Sequence, residues 1–472
     1  MRKTFKKIVA VNLAVALAMS AVACGGSDKK TDTTQTNSDS TKEQTGNKDR
    51  VQAEWAKNAV IYEVNVRQYT KEGTFKAFEE HLERLKNMGI NTLWFMPIYS
   101  ISQVNKKGTL GSYYSIQDYK TVNSEFGTNE EFKALIDKAH DMGFHVIIDW
   151  VANHTGFDHT WITEHPDYYV HDENGEIMSP AGTDWYDVAQ LDYQNKEMRA
   201  AMIDAMTYWI KDMDVDGVRC DYAQGASSDF WEEARTELDK IKPIYMVAED
   251  GTNSESLLVN AFDSDYNFPL YDGIKMAMVV GNSADKLDTF INPDIPYGSY
   301  KMIFIDNHDK NTYDGTLEMR FGKELIGALW TLVFTAEGVP LVYSGNEEDT
   351  DISLEFFEKD NIDFGDYKWE DLLTRLCKIK TTNEELFNGS YGEPMEIIDD
   401  GNENIITFKR GDILVSINLA ESEQLVKYPD SVKEGTILLH GNKDLILDDE
   451  GEKVNIKPEK KLVNGEYYII KN

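Results

Sequence analysis

The sequence has few cysteines. Only 3 of its 472 residues are cysteine. Cys24 follows an apolar leader, which leaves Cys220 and Cys377 either to pair with each other or to remain as free thiols. Because Cys220 lies in an apolar run beside an aspartate, we expect two buried free thiols rather than a disulfide.

Positive charge is also scarce. The chain has 48 Lys and Arg against 83 Asp and Glu, which gives a formal net charge of -35. Nucleic acids and anionic membrane surfaces bind proteins through basic patches, so this balance argues against both as partners. It suits an enzyme that acts on a neutral substrate, although solubility alone also explains a high net charge. The length allows one large domain and a smaller one.

One long apolar run, residues 8–23, follows a basic start. It is shorter than the ~20 apolar residues that a membrane-spanning helix needs, so residues 1–23 are interpreted as a signal peptide. The run ends in Ala21-Val22-Ala23-Cys24, which resembles a bacterial lipoprotein box with Cys24 as the lipidated residue. An ordinary signal peptide that happens to precede a cysteine is the alternative. We expect an exported protein, anchored by this lipid outside the bacterial cell membrane or at the cell surface.

Composition changes divide the rest of the chain. Residues 24–50 are mostly small or polar and contain no aromatic residue. They cannot bury enough apolar surface to offset their loss of entropy on ordering, which predicts a flexible tether. We place a catalytic domain at 51–384, with an insertion at 155–192, and a C-terminal domain at 385–472.

Short apolar runs alternate with amphipathic helical stretches after the tether. The runs lie at 60–66, 92–96, 145–151, 217–220, 244–248, near Phe262, at 302–305 and at 340–343, with helices predicted at 74–88, 129–142, 198–211 and 323–335. Continuous apolar runs are typical of parallel strands that are buried on both faces. This order predicts an α/β fold, a TIM (β/α)8 barrel, with a doubly wound open sheet as the alternative.

Two regions depart from that order. Residues 155–192, after the third strand, are rich in Asp, His, Tyr, Trp, Gly and Pro and predict a short irregular insertion. From about residue 385, short apolar runs are separated by Gly-Asn, Asp-Gly and Gly-Asp turns. That pattern predicts a small antiparallel β domain.

Polar residues cluster where four predicted strands end, which is where barrel enzymes place their active sites. The four segments are Asp149-Trp150-Val151-Ala152-Asn153-His154, Gly217-Val218-Arg219-Cys220-Asp221, Val247-Ala248-Glu249-Asp250 and Ile305-Asp306-Asn307-His308-Asp309. Three carboxylates with an arginine and two histidines suit glycoside hydrolysis, which needs one carboxylate at the sugar's C1 and one protonated acid at the leaving oxygen. Neighbouring carboxylates raise the pKa of the proton-donating acid, which keeps it protonated near neutral pH. Arg219 shares a strand face with Asp221, and we expect it to keep Asp221 ionised.

These segments resemble the signature regions of the α-amylase family of retaining glycoside hydrolases, in their usual order. The resemblance covers roughly residues 53–348, and it includes Val60-Ile61-Tyr62-Glu63-Val64 and Gly338-Val339-Pro340-Leu341-Val342-Tyr343-Ser344-Gly345-Asn346-Glu347. Each motif alone is weakly specific, but four motifs in order are highly specific. The resemblance implies chemistry that needs no cofactor, and an α-glucan or maltooligosaccharide as the partner. We expect a monomer.

The resemblance also implies roles for individual residues. Asp221 would be the nucleophile, Glu249 the general acid/base, and Asp309 the third carboxylate, which binds the distorted sugar. Arg219, beside the nucleophile, is the arginine of the same signature.

Three further residues match the sugar-binding positions of the family. His154 and His308 would hydrogen-bond the sugar at the cleavage site, and Tyr114 would stack on it. The two histidines could instead be metal ligands, but no His-x-x-x-His or Cys/His cluster accompanies them. Trp150, Trp161, Trp185 and Tyr186 are candidates either for sugar platforms or for packing, and Asp149, Asp250 and Asp306 are expected to be structural.

The sequence departs from the family pattern at two places. Gln224 and Gly225 replace the lysine and histidine that often follow the nucleophile. Many relatives hold a structural calcium between barrel and insertion through the asparagine that corresponds to Asn153 and an aspartate near the insertion's end. Here that aspartate is replaced by Gln190, and an amide is a poorer calcium ligand than a carboxylate. Calcium at Asn153 therefore stays an open expectation.

The cleavage mode follows from loop length. The insertion and the loop at 68–73 are short, so little chain is left to close the groove, and we expect endo-acting hydrolysis of α-1,4-glucosidic bonds in starch-like glucans. An α-glucosidase, a cyclomaltodextrinase or neopullulanase, and a transglycosylase are the alternatives within the family. A non-catalytic glucan-binding lipoprotein is the alternative outside enzymes.

Overall fold

Eight of the apolar runs form parallel strands that close into a barrel. The computed structural model describes residues 52–251, 255–280, 287, 291, 295–348, 350, 352–399, 401–442 and 446–472. The predicted signal peptide, Cys24 and the tether lie outside these residues. Within them, no helix is long and apolar enough to cross a membrane.

The strands follow the predicted runs closely. In chain order they are β1 (Ile61–Val64), β2 (Thr92–Phe95), β3 (Tyr99–Ile101), β4 (Ile116–Val122), β5 (His145–Val151), β6 (His154–Gly156), β7 (Val188–Gln190), β8 (Gly217–Asp221), β9 (Tyr245–Ala248), β10 (Ser264–Tyr266), β11 (Tyr300–Ile303), β12 (Gly338–Tyr343), β13 (Met395–Ile397), β14 (Ile405–Arg410), β15 (Ile413–Asn418), β16 (Gln424–Lys427), β17 (Glu434–Gly441), β18 (Lys453–Asn455), β19 (Glu459–Leu462) and β20 (Tyr467–Lys471). The barrel runs β1-β2-β5-β8-β9-β10-β11-β12 and closes because β12 pairs with β1. The TIM barrel is confirmed, and the open sheet is excluded.

The helices surround the barrel. They are α1 (Val66–Tyr69), α2 (Phe75–Glu79), α3 (Leu82–Met88), α4 (Asn129–Asp141), α5 (Thr160–Glu164), α6 (Lys196–Thr207), α7 (Ser228–Leu238), α8 (Glu255–Asn260), α9 (Phe268–Val280), α10 (Leu317–Phe321), α11 (Ile326–Thr335) and α12 (Glu370–Thr382). Short 3-10 helices lie at Glu54–Asn58, Pro166–Tyr168, Ala223–Gly225, Glu384–Leu386 and Gly389–Tyr391, and π turns at Tyr208–Asp212 and Lys310–Asp314. Local sequence explains several starts. Thr128, for example, makes a full capping box with Glu131 ahead of α4.

The sixth barrel strand gave the weakest sequence signal, and its composition explains why. β10 contains Ser264 and Asp265, both buried. Lys301 donates a 2.7 Å hydrogen bond to Asp265 from the neighbouring strand, and Ser264 bonds to the Tyr245 hydroxyl. Because these polar groups satisfy one another, the strand can be buried without being apolar.

The loops after β2 and β5 carry two hairpins that the sequence did not predict. β3 pairs with β4, and β6 pairs with β7, with His154 opposite Gln190. The insertion is therefore anchored by an antiparallel pair at its base rather than being irregular throughout. This pair lies directly after the barrel strand that carries Asp149, so it positions one side of the candidate site.

The C-terminal region forms an antiparallel sheet, as predicted. Its six-stranded order is β13-β14-β15-β20-β17-β18, and β16 and β19 form a separate pair. The sheet packs on the barrel helices, since Tyr467 contacts Gly327 of α11. Cys220 and Cys377 are buried and free, as expected.

Candidate active site

The carboxyl ends of the barrel strands bring the predicted residues to one rim. Asp149 lies in β5, and Arg219 and Asp221 lie in β8, where the parallel register places Asp149 opposite Arg219. Glu249 follows β9 directly, and Asp309 follows β11. This rim is the face on which TIM-barrel enzymes carry their active sites.

Arg219 joins three carboxylates. Its Nη1 lies 2.9 Å from Asp149 Oδ1 and 3.1 Å from Asp221 Oδ1, and its Nη2 lies 3.1 Å from Glu249 Oε2. The guanidinium is fully buried, and its Nε donates a 3.1 Å hydrogen bond to the Tyr266 hydroxyl. Because the buried Arg219 guanidinium contacts all three acids, it holds Asp221 and Glu249 close to each other.

Three acids on one arginine change the charge balance of the site. Burial, followed by the negative charge of Glu249, raises the pKa of Asp221 well above its usual range, against the opposing effect of Arg219. The expectation that Arg219 keeps Asp221 ionised stays a prediction, because burial and the neighbouring acids oppose the effect of Arg219.

The acids remain open to solvent. The side chains of Asp221, Glu249 and Asp309 are 13%, 17% and 34% exposed, whereas that of Asp149 is fully buried. Glu249 Oε2 also accepts a 2.9 Å hydrogen bond from the backbone N–H of Tyr222. Tyr222 has a positive φ of 42°. Such strain in a bulky residue is common at functional sites, and here it directs the N–H toward Glu249.

Tyr114 and His308 form one unit beside the acids. The Tyr114 hydroxyl donates to Asp149 Oδ2 at 3.1 Å and lies 2.8 Å from His308 Nε2. The other ring nitrogen of His308 bonds to Glu63. Burial alone would lower the pKa of His308, but the charges of Asp309 and Glu63 outweigh it and raise that pKa to about 9. His308 is therefore a cation at neutral pH.

His154 lies on the insertion side of the site. Its Nδ1 lies 3.1 Å from Asn153 Nδ2, and burial lowers its pKa to about 4. The ring of Trp185 lies 5.6 Å from His154 and 5.5 Å from Tyr222. Trp185 thus packs edge-on against both rings, and its role as a sugar platform stays a prediction, whereas Trp150 is fully buried.

The expected calcium site does not fit the residues present. Asn153 Oδ1, the oxygen that would bind the cation, accepts a 3.0 Å hydrogen bond from Gln190 Nε2. Calcium prefers several oxygen ligands, and an amide N–H directed at one of them opposes a cation there. Among the residues that the structure describes, no group of three or more His, Cys, Asp and Glu could hold a metal ion.

Two residues near the site were missed by the sequence analysis. Glu63, which bonds to His308, was quoted only as part of a motif, although an acid inside an apolar strand was a usable signal. Phe356 follows β12 and stacks on Tyr114 with ring centroids 6.0 Å apart, and nothing in its sequence context marked it. Asp306, by contrast, pairs with Arg320 and Asn346 and faces away from the acids, as expected for a structural residue.

Comparison with known proteins gives the family. The family described as "Alpha amylase, catalytic domain" matches residues 31–371, which is more than half of the chain. The chain belongs to the α-amylase family. Within this family it is a glycoside hydrolase, as the carboxylate cluster predicted.

Individual α-amylase relatives cover most of the chain. Alpha-amylase 3 of Dictyoglomus thermophilum is 28% identical over 67% of this chain and 68% of that protein. The crystal structure of the maltogenic alpha-amylase AmyB from Thermotoga neapolitana is 29% identical, covers 88% of this chain and 99% of that one, and has a TM-score of 0.77. An alpha-amylase structure from Lactobacillus plantarum has the same identity and coverage, with a TM-score of 0.75.

Other α-amylase relatives differ in their named activities. They include a cyclomaltodextrinase, an oligo-1,6-glucosidase and a trehalose synthase. Membership of the family therefore fixes the type of chemistry but not the bond or the product.

Proposed function

We propose that this enzyme hydrolyses α-1,4-glucosidic bonds in starch-like glucans with retention of anomeric configuration. The observation that supports this most is the Arg219-centred cluster, which holds Asp221 and Glu249 on one guanidinium. Retaining enzymes need two carboxyls close together, whereas inverting enzymes separate them to admit a water.

The reaction proceeds in two displacements. A carboxylate oxygen of Asp221 attacks C1 of the sugar while Glu249 gives its proton to the glycosidic oxygen, so the C1–O bond breaks as a glycosyl ester forms. Glu249 then takes a proton from water, whose oxygen attacks C1 and releases Asp221 as the carboxylate. Asp221 attacks as the carboxylate, because only the ionised oxygen is an adequate nucleophile.

Other residues of the cluster bind the sugar. Asp309 is the third carboxylate and binds hydroxyls of the distorted ring, which stabilises the transition state. Tyr114 stacks on the apolar face of that ring, while His154 and His308 hydrogen-bond its hydroxyls. The partly exposed Asp309 and the buried His308 lie 3.6 Å apart, which supports contact with the same sugar.

We propose that cleavage is endo-acting. The insertion at 155–192 lies within the range of functional loop insertions and leaves little chain to close the groove, and the partial exposure of all three acids is consistent with an open groove. Digestion of amylose with time-resolved chromatography tests this mode. Mixed maltooligosaccharides are expected early, whereas glucose as the sole early product would favour an α-glucosidase.

One observation favours a second candidate, an enzyme that releases short products. Phe356 stacks on Tyr114 and lies 6.0 Å from the ring of Tyr313, so the segment after β12 packs against the residue that would stack on the sugar. A maltogenic activity would fit a groove that this segment limits. Product profiles on amylose, pullulan and maltotriose distinguish the candidates.

We further propose that the enzyme is exported and works as a monomer anchored through lipid on Cys24. The apolar run that ends in Ala21-Val22-Ala23-Cys24 supports this. Cys24→Ser is expected to move the protein from the membrane fraction to the soluble fraction. Unchanged fractionation, with no lipid on the mature N-terminus, would contradict the anchor.

A non-catalytic glucan binder built on the same barrel has no need of an acid/base pair. Activity on soluble starch, lost in Asp221→Asn, separates the two. A wild-type protein that binds starch but never cleaves it would support the binder.

A further inference from the structure

One side-chain amide reinforces the strand pair at the base of the insertion. Gln190 Nε2 lies 3.2 Å from the backbone oxygen of Asn153, 3.0 Å from Asn153 Oδ1 and 3.3 Å from the backbone oxygen of Leu191. Asn153 and position 190 are the two places at which the family resemblance implies calcium ligands. Here the three oxygens face a hydrogen-bond donor instead.

The orientation of this amide is forced by its neighbours. Two of the three oxygens are backbone carbonyls, which can only accept, so the nitrogen end of Gln190 must face them. The third atom must then also be an acceptor, which assigns it as Asn153 Oδ1. Asn153 therefore turns its Nδ2 toward His154, and the 3.1 Å contact is a hydrogen bond that Nδ1 of His154 accepts.

The hydrogen bond from Asn153 selects one form of His154. An imidazole whose Nδ1 accepts a hydrogen bond carries its proton on Nε2 and is neutral. The ring is buried, and it also makes a hydrogen bond with the backbone of Tyr114. The geometry therefore gives the tautomer.

Two carboxylates near Gln190 in the sequence have other partners. Asp187 pairs with Lys107 at 3.0 Å, and Asp192 Oδ1 accepts a hydrogen bond from the backbone N–H of Gln194. Gly225 packs so closely that a Cβ there would lie 2.3 Å from Asn153 Oδ1. The glycine that replaces the family's histidine therefore lets the backbone close over the amide.

We propose that Gln190 replaces the calcium ion in this enzyme, joining the insertion to the barrel and, through Asn153, holding His154 as the Nε2-protonated neutral tautomer. Gln190 is a positioning residue, because it acts on the site only through Asn153. The claim that His154 binds the sugar rests on the proposed function. The structural claim, that Gln190 takes the place of calcium, does not.

Thermal unfolding of the full chain in EDTA and in calcium chloride tests the structural part. The wild type is expected to melt at the same temperature in both buffers. Gln190→Glu places a carboxylate among three oxygens, so its melting temperature is expected to fall by a few degrees in EDTA and to recover in calcium. Gln194→Glu adds the same charge at an exposed neighbouring position and is the matched control, with no calcium response expected.

Two results would overturn the replacement of calcium. One is a wild-type melting temperature that falls on chelation and returns with calcium. The other is a Gln190→Glu variant that melts like the wild type in both buffers. If that variant does not fold, Gln190→Met removes the donors without adding charge, and it is expected to melt lower than the wild type in both buffers alike.

Nitrogen-15 spectra of labelled histidine test the positioning of His154. The signal that disappears in His154→Gln is expected to report the Nε2-protonated neutral form in the wild type and a mixture of tautomers in Gln190→Met. An Nδ1-protonated ring in the wild type would contradict the proposal. Neither measurement depends on turnover, so a failure of the proposed hydrolase function would remain distinguishable.

Discussion

The two histidines of the site are almost equally buried, yet one is neutral and the other is a cation. His154 is 3% exposed and His308 is 2% exposed. The pKa of His154 falls to about 4 because burial acts on it beside an amide, whereas carboxylates raise that of His308 to about 9. Since burial is the same, the partners decide the charge.

This difference assigns separate tasks to the two sides of the site. On the insertion side, neutral amides hold His154 as a fixed donor. On the other side, the charge of His308 offsets part of the excess negative charge near Asp309 and fixes the hydroxyl of Tyr114. The sequence alone predicts the same sugar-binding role for both histidines.

The largest predicted loss of activity comes from the two reacting acids, and the histidine variants are expected to lose less. Asp221→Asn is expected to lower kcat by at least about 10⁴-fold, because no anion remains to attack C1. Glu249→Gln should be similarly inactive through loss of the proton donor, while His154→Ala and His308→Ala lose binding and keep more activity. Steady-state kinetics on maltooligosaccharides measure this. Near-wild-type rates in either acid variant would contradict the mechanism.

Removing the anion that faces His308 should reduce the difference between the pKa values of the two histidines. Glu63→Gln keeps a hydrogen bond but removes a charge that raises the pKa of His308, so that pKa is expected to fall by about one unit or more. His308 would then lose its proton at lower pH, and the alkaline limb of kcat/KM would move to lower pH. A limb that stays in place would show that His308 does not need its charge.

The same pair links stability to pH. The pKa of His308 lies above the ordinary value of about 6.5, so its contribution to stability is complete below about pH 6.5 and is lost as pH rises through about 9. Glu63→Gln should reduce the fall in unfolding free energy across that window. Urea denaturation at several pH values between 6 and 10 measures it.

The smallest effect comes from giving His154 an anionic partner. Asn153→Asp keeps an oxygen for Gln190 but places a carboxylate on Nδ1 of His154, so the pKa of His154 is expected to rise. Activity should fall only a few-fold, since His154 can still donate from Nε2. Histidine NMR titration checks the pKa, and an unchanged value would mean that the amide does not set it.

Much of the barrel could be predicted because its strands are buried on both faces and are therefore continuously apolar. The register of those strands then brought Asp149, Arg219 and Asp221 together, so the candidate site followed from the strand ends. Strand β10 was less visible because Ser264 and Asp265 are buried through partners that lie far away in sequence. Partners of that kind leave no local pattern.

The charge states of the site could not be predicted for the same reason. Arg219 was expected to act on Asp221, and it also pairs with Asp149 and Glu249, which only the closed barrel brings within reach. The hydrogen bonds of Gln190 depend on the β6–β7 pair, which the insertion's mixed composition concealed.

The central claim is that Asp221 forms a covalent bond with the sugar. Glu249→Gln, treated with an activated 5-fluoro-α-glucosyl fluoride and digested with protease, should accumulate a glycosyl ester, because the good leaving group needs no acid and the missing base slows release. Mass spectrometry of the peptides is expected to place the sugar on Asp221. Two results would contradict the account. One is a sugar attached to another residue. The other is the absence of a labelled peptide although fluoride is released and the sugar product is inverted at C1.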